Sequence, residues 1–278
     1  MSELTDDFGM AYIDSCDQIT LLCIHGYPLS SAMWEPQVED LTGIARVIAP
    51  DLRGHGRSEA APGPYSVGML AEDCAGLLDY LGIENPVVVC GLSMGGYVAF
   101  EFFRRYPERV AGLILVSTKA TADTPEGKAG RDAAVEKATK EGVTAVAAAM
   151  LPKLLAPQTY TEDDEVVEFV QEMMEGTSLE GMIGALQAMK ERPDSTPTLA
   201  QIDVPTLIIH GADDQLIPVA EAEAMAAAID GAQLVVIPDA GHLPNLEQID
   251  AFSDAVIDFI DSLMDDDADD DDHGHDHS

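Results

Sequence analysis

Residues 86–100, Pro-Val-Val-Val-Cys-Gly-Leu-Ser-Met-Gly-Gly-Tyr-Val-Ala-Phe, form a pattern in which an apolar strand breaks at Gly91 and an apolar helix begins after Gly95. Ser93 stands at the break. A serine on so sharp a turn has a strained backbone, which only neighbours without side chains can accommodate. Gly-x-Ser-x-Gly alone also occurs in glycine-rich loops, but here β-branched residues precede the turn and a helical run follows it. The stretch therefore predicts a nucleophilic serine between a strand and a helix.

The helix that follows Ser93 favours acyl transfer. Its N-terminus points at Ser93, so that unpaired backbone N–H groups and the positive end of the helix dipole face the place where an oxyanion would form. Such donors stabilise the negative charge that develops when an alkoxide attacks a carbonyl carbon.

A second oxyanion donor is predicted near the start of the chain. Residues 18–24 are almost continuously apolar, as in a strand buried on both faces, and they lead into His-Gly-Tyr-Pro at 25–28. This ending places the backbone N–H of Tyr27 beside the carboxyl end of the sheet, where an oxyanion at Ser93 would need it. His25 is expected to be a structural histidine of the turn rather than a catalytic base.

Strand-like and helix-like segments alternate along most of the chain, which predicts an α/β fold with a doubly wound, mostly parallel sheet. In such sheets, ligands bind at the carboxyl ends of the strands. Further strands are predicted at residues 10–13, 46–50, 110–117, 204–210 and 232–237, and helices at 31–41, 66–81, 97–106 and 219–229.

The alternation stops at Lys119, and residues 119–202 contain only helical patterns. We interpret this segment as a mobile helical cap, or lid, inserted into a core made of residues 1–118 and 203–264. Five methionines in the segment fit either an adaptable apolar wall over a pocket or ordinary packing between helices. They are Met150, Met173, Met174, Met182 and Met189.

The strand predicted at 204–210 leads into Gly-Ala-Asp-Asp-Gln-Leu-Ile-Pro, so that an acid follows a strand end. A serine and histidine pair needs a carboxylate that fixes the imidazole tautomer and stabilises the imidazolium, and Asp213 and Asp214 both offer one. Among the histidines before the acidic tail, His242 alone follows this acid in a loop at a strand end. Ser93, one of the two aspartates and His242 thus occur in the order nucleophile, acid, histidine.

Other polar groups are interpreted as scaffold. Residues 51–58, Asp-Leu-Arg-Gly-His-Gly-Arg-Ser, predict an irregular turn held by charged side chains, with a spacing unlike that of a phosphate-binding loop. His55 is therefore not expected to be catalytic. The four cysteines show neither metal-binding nor redox spacing and are expected to be buried free thiols.

The formal net charge is −37, from 51 acidic and 14 basic residues. Such a chain repels nucleic acid, which argues against a nucleic-acid partner. Self-repulsion of this kind destabilises a compact state in dilute salt and is relieved by screening. A salt-adapted host is therefore one hypothesis, and an acid-biased protein of an ordinary host, with an acidic tail, is the other.

Residues 265–278 are an aspartate run with His273, His275 and His277 near its end. We expect them to be disordered and solvated, because a run of like charges cannot pack. The alternating histidines are compatible with weak binding of a divalent transition metal, unconnected with the active site.

The N-terminal residues are acidic where a signal peptide would be basic and then apolar, and no apolar run is long enough to span a bilayer. We therefore expect a cytoplasmic protein without a membrane partner.

Taken with their order along the chain, these motifs resemble those of the α/β-hydrolase fold superfamily. The resemblance runs from residue 10 to residue 263, through His-Gly-Tyr-Pro, the loop at 51–58, Gly-Leu-Ser-Met-Gly-Gly and the closing Gly-His. The chain is similar to small bacterial serine esterases and lactonases, such as oxoadipate enol-lactonases and pimeloyl-carrier-protein methyl ester esterases. In these relatives the acid lies in Gly-x-x-Asp-x-x-x-Pro, which matches Gly211, Asp214 and Pro218 and favours Asp214 over Asp213.

The resemblance implies a serine hydrolase that cleaves a small or medium carboxylic ester or lactone. Ser93 would be the nucleophile, His242 the base and Asp214 the acid, with the amides of Tyr27 and Met94 as the oxyanion hole. No metal or organic cofactor is implied. Haloalkane dehalogenases and epoxide hydrolases carry an aspartate where this chain has Ser93, so their chemistry is not expected.

Three alternatives share the same motifs. Cofactor-free haloperoxidases, or perhydrolases, and carbon–carbon bond hydrolases use the same serine triad. A receptor of the same fold would bind a small molecule in the lidded pocket without turnover; an intact set of nucleophile, base, acid and oxyanion donors favours an enzyme.

Overall fold

A computed structural model of the protein describes residues 4–5, 9–15 and 19–271. Eight strands form one sheet in the spatial order β1-β2-β4-β3-β5-β6-β7-β8. The strands are β1 Leu4–Thr5, β2 Ala11–Asp14, β3 Ile19–Ile24, β4 Ala45–Pro50, β5 Val87–Leu92, β6 Val110–Val116, β7 Thr206–Gly211 and β8 Gln233–Ile237. Strand β2 pairs antiparallel with β1 and with β4, and all other neighbouring strands are parallel. The predicted mostly parallel sheet is confirmed.

Helices connect the strands. They are α1 Glu35–Asp40, α2 Val67–Tyr80, α3 Met94–Arg105, α4 Pro125–Glu141, α5 Val143–Leu154, α6 Pro157–Glu162, α7 Asp164–Glu175, α8 Leu179–Lys190, α9 Thr196–Leu199, α10 Val219–Ala228, α11 Pro244–Glu247 and α12 Ile249–Asp271, with 3-10 turns at Ser31–Trp34 and Pro107–Arg109. Helix α2 begins as its sequence predicts, because the Ser66 hydroxyl accepts a hydrogen bond from the Met69 amide at 3.1 Å.

Side chains of the central strands alternate between two apolar layers, one on each face of the sheet. Val89 and Leu115 belong to the layer formed with α2, α3 and α10. Cys90 and Ile114 belong to the layer formed with α1 and α12. Each leucine or phenylalanine buried completely in these layers stabilises the fold by roughly 1.5–3 kcal/mol. Burial on both faces explains why the strands are apolar without alternation.

The helices α4–α9 follow β6 in sequence and precede β7, although β6 and β7 are neighbours in the sheet. Within the described residues this connection contains no strand, in agreement with the helical patterns of residues 119–202. These six helices are called the cap below.

Helix α12 continues into the aspartate run as far as Asp271, and the disorder predicted for residues 265–278 stays a prediction. The helix is nucleated earlier, where Phe252, Val256 and Phe259 pack into the core. Once nucleated, a helix extends by fixing only one residue for each new hydrogen bond, which is why the charged run can continue it. Residues 272–278 lie outside the described residues, so metal binding by the tail histidines stays a prediction.

Among the described residues, every helix is too short or too polar to cross a membrane. Cys23, Cys74 and Cys90 are buried free thiols, as expected, and Cys16 lies outside the described residues.

Candidate active site

Ser93 lies between β5 and α3 with a left-handed backbone, φ 55° and ψ −109°. This conformation is strained for a residue with a side chain. The neighbouring glycines leave no room for a Cβ: one at Gly91 would overlap the Gly95 backbone, and one at Gly95 would overlap the Ile24 carbonyl oxygen. The turn predicted from Gly-x-Ser-x-Gly is therefore present, and it is wedged between β3 and α3.

The neighbouring strand β6 fixes the Ser93 backbone. The Ser93 amide donates to the Val116 carbonyl at 2.8 Å, and the Thr118 hydroxyl donates to the Ser93 carbonyl at 2.8 Å. A Cβ at Gly96 would collide with the Thr118 side chain, so Gly96 brings α3 close to the end of β6. Sequence reasoning missed Thr118, whose position two residues after a buried strand was the available signal.

The loop after β3 lies against the serine turn. A Cβ at Gly26 would stand 2.9 Å from Leu92 Cδ2 and 3.5 Å from Ser93 Cβ. The backbone that leads into Tyr27 therefore passes beside Ser93, as the sequence predicts. Met94 is the first residue of α3, so its N–H has no acceptor inside the helix. The Met94 N–H is thus adjacent to the serine, and the segment that precedes Tyr27 passes beside it.

His242 and Asp214 meet in the loops after β8 and β7. His242 Nδ1 lies 2.7 Å from Asp214 Oδ2, and both side chains are buried. The other oxygen, Asp214 Oδ1, accepts hydrogen bonds from the amides of Leu216 at 2.8 Å and Ile217 at 3.0 Å. Asp213 points elsewhere, because its Oδ2 accepts a hydrogen bond from the Gln158 side chain at 3.0 Å. Of the two aspartates left open by the local pattern, Asp214 is the one that contacts His242.

Asp214 is held as a carboxylate. Burial alone would raise the pKa of Asp214, but the charge of His242 and hydrogen bonds from His210, His242 and the Ile217 amide hold that pKa well below its ordinary value. Its carboxylate therefore acts only as an acceptor, so His242 Nδ1 donates and His242 Nε2 is the nitrogen available as a base.

His210 is a second histidine on the same carboxylate, and sequence reasoning missed it. Its Nε2 lies 2.9 Å from the Ile217 carbonyl oxygen, to which it donates, and 3.3 Å from Asp214 Oδ2. His210 thus links the end of β7 to the loop that carries the acid. Its position as the penultimate residue of an apolar strand was the only signal in the sequence.

His25 and His55 are structural, as expected. The Leu52 amide donates to His25 Nε2 at 2.9 Å, so Nδ1 carries the proton and donates to the Gly26 carbonyl at 2.8 Å. Burial lowers the pKa of His25, which keeps the ring neutral. His55 packs against it, with ring centroids 5.0 Å apart, and burial together with the neighbouring His25 lowers the pKa of His55 to about 3. The pair supports the loop that precedes Tyr27.

Asp51 holds the loop at residues 51–58, also as expected. Its carboxylate accepts hydrogen bonds from the amides of Ser31 at 2.7 Å and Arg57 at 3.0 Å. A Cβ at Gly56 would collide with this carboxylate, which explains the glycine.

A cavity of about 410 Å³ lies between the cap and the core. Tyr27 and Leu216 line it from the core, and residues of α4, α5 and α8 line it from the cap; we call it the cap cavity. Met150 is the one predicted methionine on its wall, whereas Met173, Met174, Met182 and Met189 are buried in the apolar layers. Met150 therefore fits the interpretation as a pocket wall, and the other four methionines fit ordinary packing between helices.

Within residues 4–5, 9–15 and 19–271, no three histidine, cysteine, aspartate or glutamate side chains come together as the ligands of a metal ion would.

Residues 19–248 match a family model described as alpha/beta hydrolase fold. The chain is 30% identical over 249 residues to 3-oxoadipate enol-lactonase 2 of Acinetobacter baylyi. The aligned region is 90% of this chain and 89% of that protein. It is 32% identical over 248 residues to a non-heme haloperoxidase of Rhodococcus erythropolis. The aligned region is 86% of this chain and 90% of that protein.

Among solved structures, a thermophilic esterase from Thermogutta terrifontis with malate bound superposes with a TM-score of 0.89 and 42% sequence identity, over 91% of this chain and 93% of that one. The family model covers most of the chain, and the relatives cover nearly its full length. The chain therefore belongs to the α/β-hydrolase fold family.

Proposed function

We propose that the protein is a serine hydrolase of small or medium carboxylic esters or lactones, and that Ser93, His242 and Asp214 are its catalytic triad. The observation that carries the proposal is the hydrogen bond of 2.7 Å between His242 Nδ1 and a buried Asp214 carboxylate, in a protein whose Ser93 has the strained turn of a nucleophile. The esterase and enol-lactonase relatives support the reaction class.

The first half-reaction forms an acyl-enzyme. Ser93 Oγ attacks the substrate carbonyl while His242 Nε2 takes the hydroxyl proton. The carbonyl oxygen becomes an oxyanion, which the backbone N–H groups of Tyr27 and Met94 stabilise. The intermediate collapses when the bond to the leaving oxygen breaks, and His242 gives the proton to that oxygen. In a lactone, the released alcohol remains part of the acyl group.

Water completes the cycle. His242 removes a proton from water, the resulting hydroxide attacks the acyl carbon, and the carboxylic acid departs as Ser93 Oγ recovers the proton. Asp214 stabilises the imidazolium of His242 in both halves, because its carboxylate is already ionised and already bonded to Nδ1.

A fluorophosphonate probe and a short 4-nitrophenyl ester test the assignment. Ser93→Ala should lose labelling by the probe and nearly all hydrolysis of the ester. Ser262→Ala is the matched control, because the Ser262 hydroxyl donates to the Phe259 carbonyl on α12, far along the chain from the proposed site. Labelling of Ser93→Ala equal to that of the control would refute the proposed nucleophile.

The haloperoxidase relative favours a second activity at the same site. Hydrogen peroxide can replace water as the nucleophile on the acyl-enzyme, so that the products are a peracid and free Ser93. Oxidation of bromide in the presence of acetate and hydrogen peroxide measures this activity. If it occurs at the proposed site, it should disappear in Ser93→Ala together with ester hydrolysis.

A further inference from the structure

The cap cavity is basic although the protein is strongly acidic. Arg131, Lys137 and Lys153 line it, which is three of the 14 lysines and arginines in the chain. Asp123 is the only acidic residue on its described wall. The sign of the charge in the cavity is thus opposite to that of the whole protein, whose field repels anions.

Asp123 does not neutralise this charge, because a second arginine already pairs with it. Asp123 Oδ1 lies 2.8 Å from the Arg192 guanidinium, whereas Oδ2 lies 3.1 Å from Arg131 Nε. Arg192 is buried, and its guanidinium also stacks over the Tyr97 ring at 4.0 Å. One carboxylate therefore faces two guanidinium groups. In the described part of the chain, the terminal nitrogens of Arg131 have no carboxylate partner, and its side chain is partly exposed.

The charges of the two lysines are neutralised to different extents by neighbouring carboxylates. Lys137 pairs with Glu141 at 2.7 Å in an exposed position, one turn along α4. Lys153, in the last turn of α5, has no ion-pair partner among the described residues. Arg131 and Lys153 are therefore the groups whose positive charge is available to a ligand, and they lie on two different helices of the cap.

The core side of the cavity contributes a hydroxyl. Tyr27 is 4% exposed, and its hydroxyl has no hydrogen-bond partner among the described residues. Burial raises the pKa of Tyr27 while the nearby Arg131 charge opposes the rise, so the hydroxyl stays protonated and able to donate. A buried donor without an acceptor is costly, which points to an acceptor supplied by a ligand.

Tyr27 also connects the cavity to the proposed nucleophile. The backbone on its N-terminal side passes beside Ser93, while its side chain lines the cavity. Val146, Met150, Leu186 and Leu216 supply apolar wall in the same cavity. A ligand seated here would place an anionic group near Arg131, Lys153 and Tyr27 and its hydrocarbon against this apolar wall.

We infer that the cap cavity binds a carboxylate of the substrate through Arg131, Lys153 and the Tyr27 hydroxyl, so that the preferred substrates are esters or lactones that carry a second, free carboxylate. Charge-assisted hydrogen bonds from a guanidinium and an ammonium are about twice as strong as neutral ones, which suits them to select such an anion. The inference rests on the proposed hydrolase function and narrows its substrate class.

The test compares two substrates of the same shape. Monoethyl glutarate carries the free carboxylate, and its amide analogue, ethyl glutaramate, carries an uncharged group in the same place. Hydrolysis of each is followed by proton release at one fixed ionic strength, and the ratio of the two kcat/KM values is the readout. This ratio cancels any loss of folded enzyme. The expected ratio for the unaltered protein is above about ten, because one charge-assisted contact contributes a factor of about ten or more.

The variants are Arg131→Gln, Lys153→Gln and Tyr27→Phe, and each should lower the ratio, the first two by about tenfold. Lys140→Gln is the control, because Lys140 is on α4 like Arg131 but pairs with Glu136 on the exposed side and does not line the cavity. It should leave the ratio within about twofold. Lys153 is exposed and without a partner in the described residues, so its substitution should not disturb folding.

Two results would overturn the inference while leaving the proposed function intact: a ratio near one in the unaltered protein, or an equal fall of the ratio in Lys140→Gln, which would indicate a general field rather than a site. Absence of hydrolysis of both esters, together with absence of Ser93 labelling by a fluorophosphonate, would instead overturn the proposed function and this inference with it. As a second measurement, glutarate should inhibit hydrolysis of ethyl glutaramate competitively, and Lys153→Gln should weaken that inhibition.

Discussion

Glu247 holds the backbone on both sides of His242. Its Oε1 accepts hydrogen bonds from the amides of Gly241 at 2.9 Å and Leu243 at 3.2 Å. Its Oε2 accepts one from the Ala156 amide at 2.7 Å, just beyond the end of α5. The His242 amide in turn donates to the Leu154 carbonyl at 2.9 Å. The loop that carries the proposed base is therefore joined to the cap through one carboxylate and one backbone hydrogen bond.

Glu247→Gln should reduce kcat by about tenfold with little change in KM. A glutamine offers only one oxygen, so its NH2 group must face a backbone N–H that the carboxylate now satisfies, and one buried donor loses its acceptor at a cost of roughly 1–3 kcal/mol. Because this loop positions His242 rather than the substrate, we expect the loss in kcat. Steady-state kinetics and thermal melting measure both effects. Glu223→Gln, at an exposed position of α10, is the control; equal kinetics for the two variants would contradict the positioning role.

Gly95→Ala and Gly76→Ala should change stability in opposite directions. A Cβ at Gly95 would overlap the Ile24 carbonyl oxygen, which is backbone and cannot move away, whereas a Cβ at Gly76 on α2 meets nothing within 4 Å. We expect Gly95→Ala to abolish esterase activity and to lower the melting temperature sharply. Gly76→Ala should raise stability by roughly 0.5–1 kcal/mol, because alanine is the better helix former. A stable, active Gly95→Ala variant would show that the serine turn is not as tightly wedged as described.

Asp214→Asn should lower kcat by roughly 10³–10⁴-fold at neutral pH, because an amide can no longer fix the His242 tautomer and stabilise its charge. Ester hydrolysis at pH 7 checks this loss. Asp213→Asn, at the exposed aspartate beside it, is the matched control and should retain activity. Similar losses in the two variants would contradict the assignment of the acid.

The stability difference between the parent and Asp214→Asn should depend on pH in one direction. The pKa of Asp214 is lower in the folded state than in the unfolded state, where it is about 3.9. Its ionised carboxylate therefore stabilises the fold above that pH, and the contribution is lost as the pH falls below it. Urea unfolding at pH 5, 4 and 3 should show a difference that narrows as the pH falls. A difference that widens toward pH 3 would contradict this.

Salt should stabilise the protein. At a net charge of −37, repulsion between carboxylates opposes the compact state, and raising potassium chloride from about 0.1 M to about 1 M shortens the Debye length from about 10 Å to about 3 Å. We expect the melting temperature to rise by several degrees over this range. A sucrose series, which strengthens burial without screening charge, is the control. A flat or falling melting temperature in potassium chloride would remove the basis of the salt-adaptation hypothesis.

Features that depend on local sequence could be predicted. The turn at Ser93 is encoded within a few residues, since Gly91 and Gly95 are needed wherever a strand meets a helix so closely. The apolar runs predicted the parallel strands, because a strand that is buried on both faces consists almost entirely of apolar residues. The position of His242 in a loop after the acid also followed from chain order.

Features that depend on distant segments meeting could not be predicted. Glu247 looks like an ordinary surface acid at the end of a short helix, and its partner Ala156 is 91 positions away in sequence. His210 is the penultimate residue of an apolar strand, and only the folded loop shows that it reaches Asp214. Local pattern left Asp213 and Asp214 equivalent for the same reason, because the choice depends on which carboxylate faces a loop formed by residues 239–243.

The link between the cap and the His242 loop limits how the proposed site can open. Widening at the end of α5 would pull on Leu154 and Ala156, and so would displace the proposed base at the moment a substrate enters. Helix α4 is held more loosely, because Ala138 is its only buried residue and exposed pairs such as Lys190 with Asp132 contribute at most about 1 kcal/mol. We therefore expect the proposed site to open by movement of α4, with residues 154–156 staying in place.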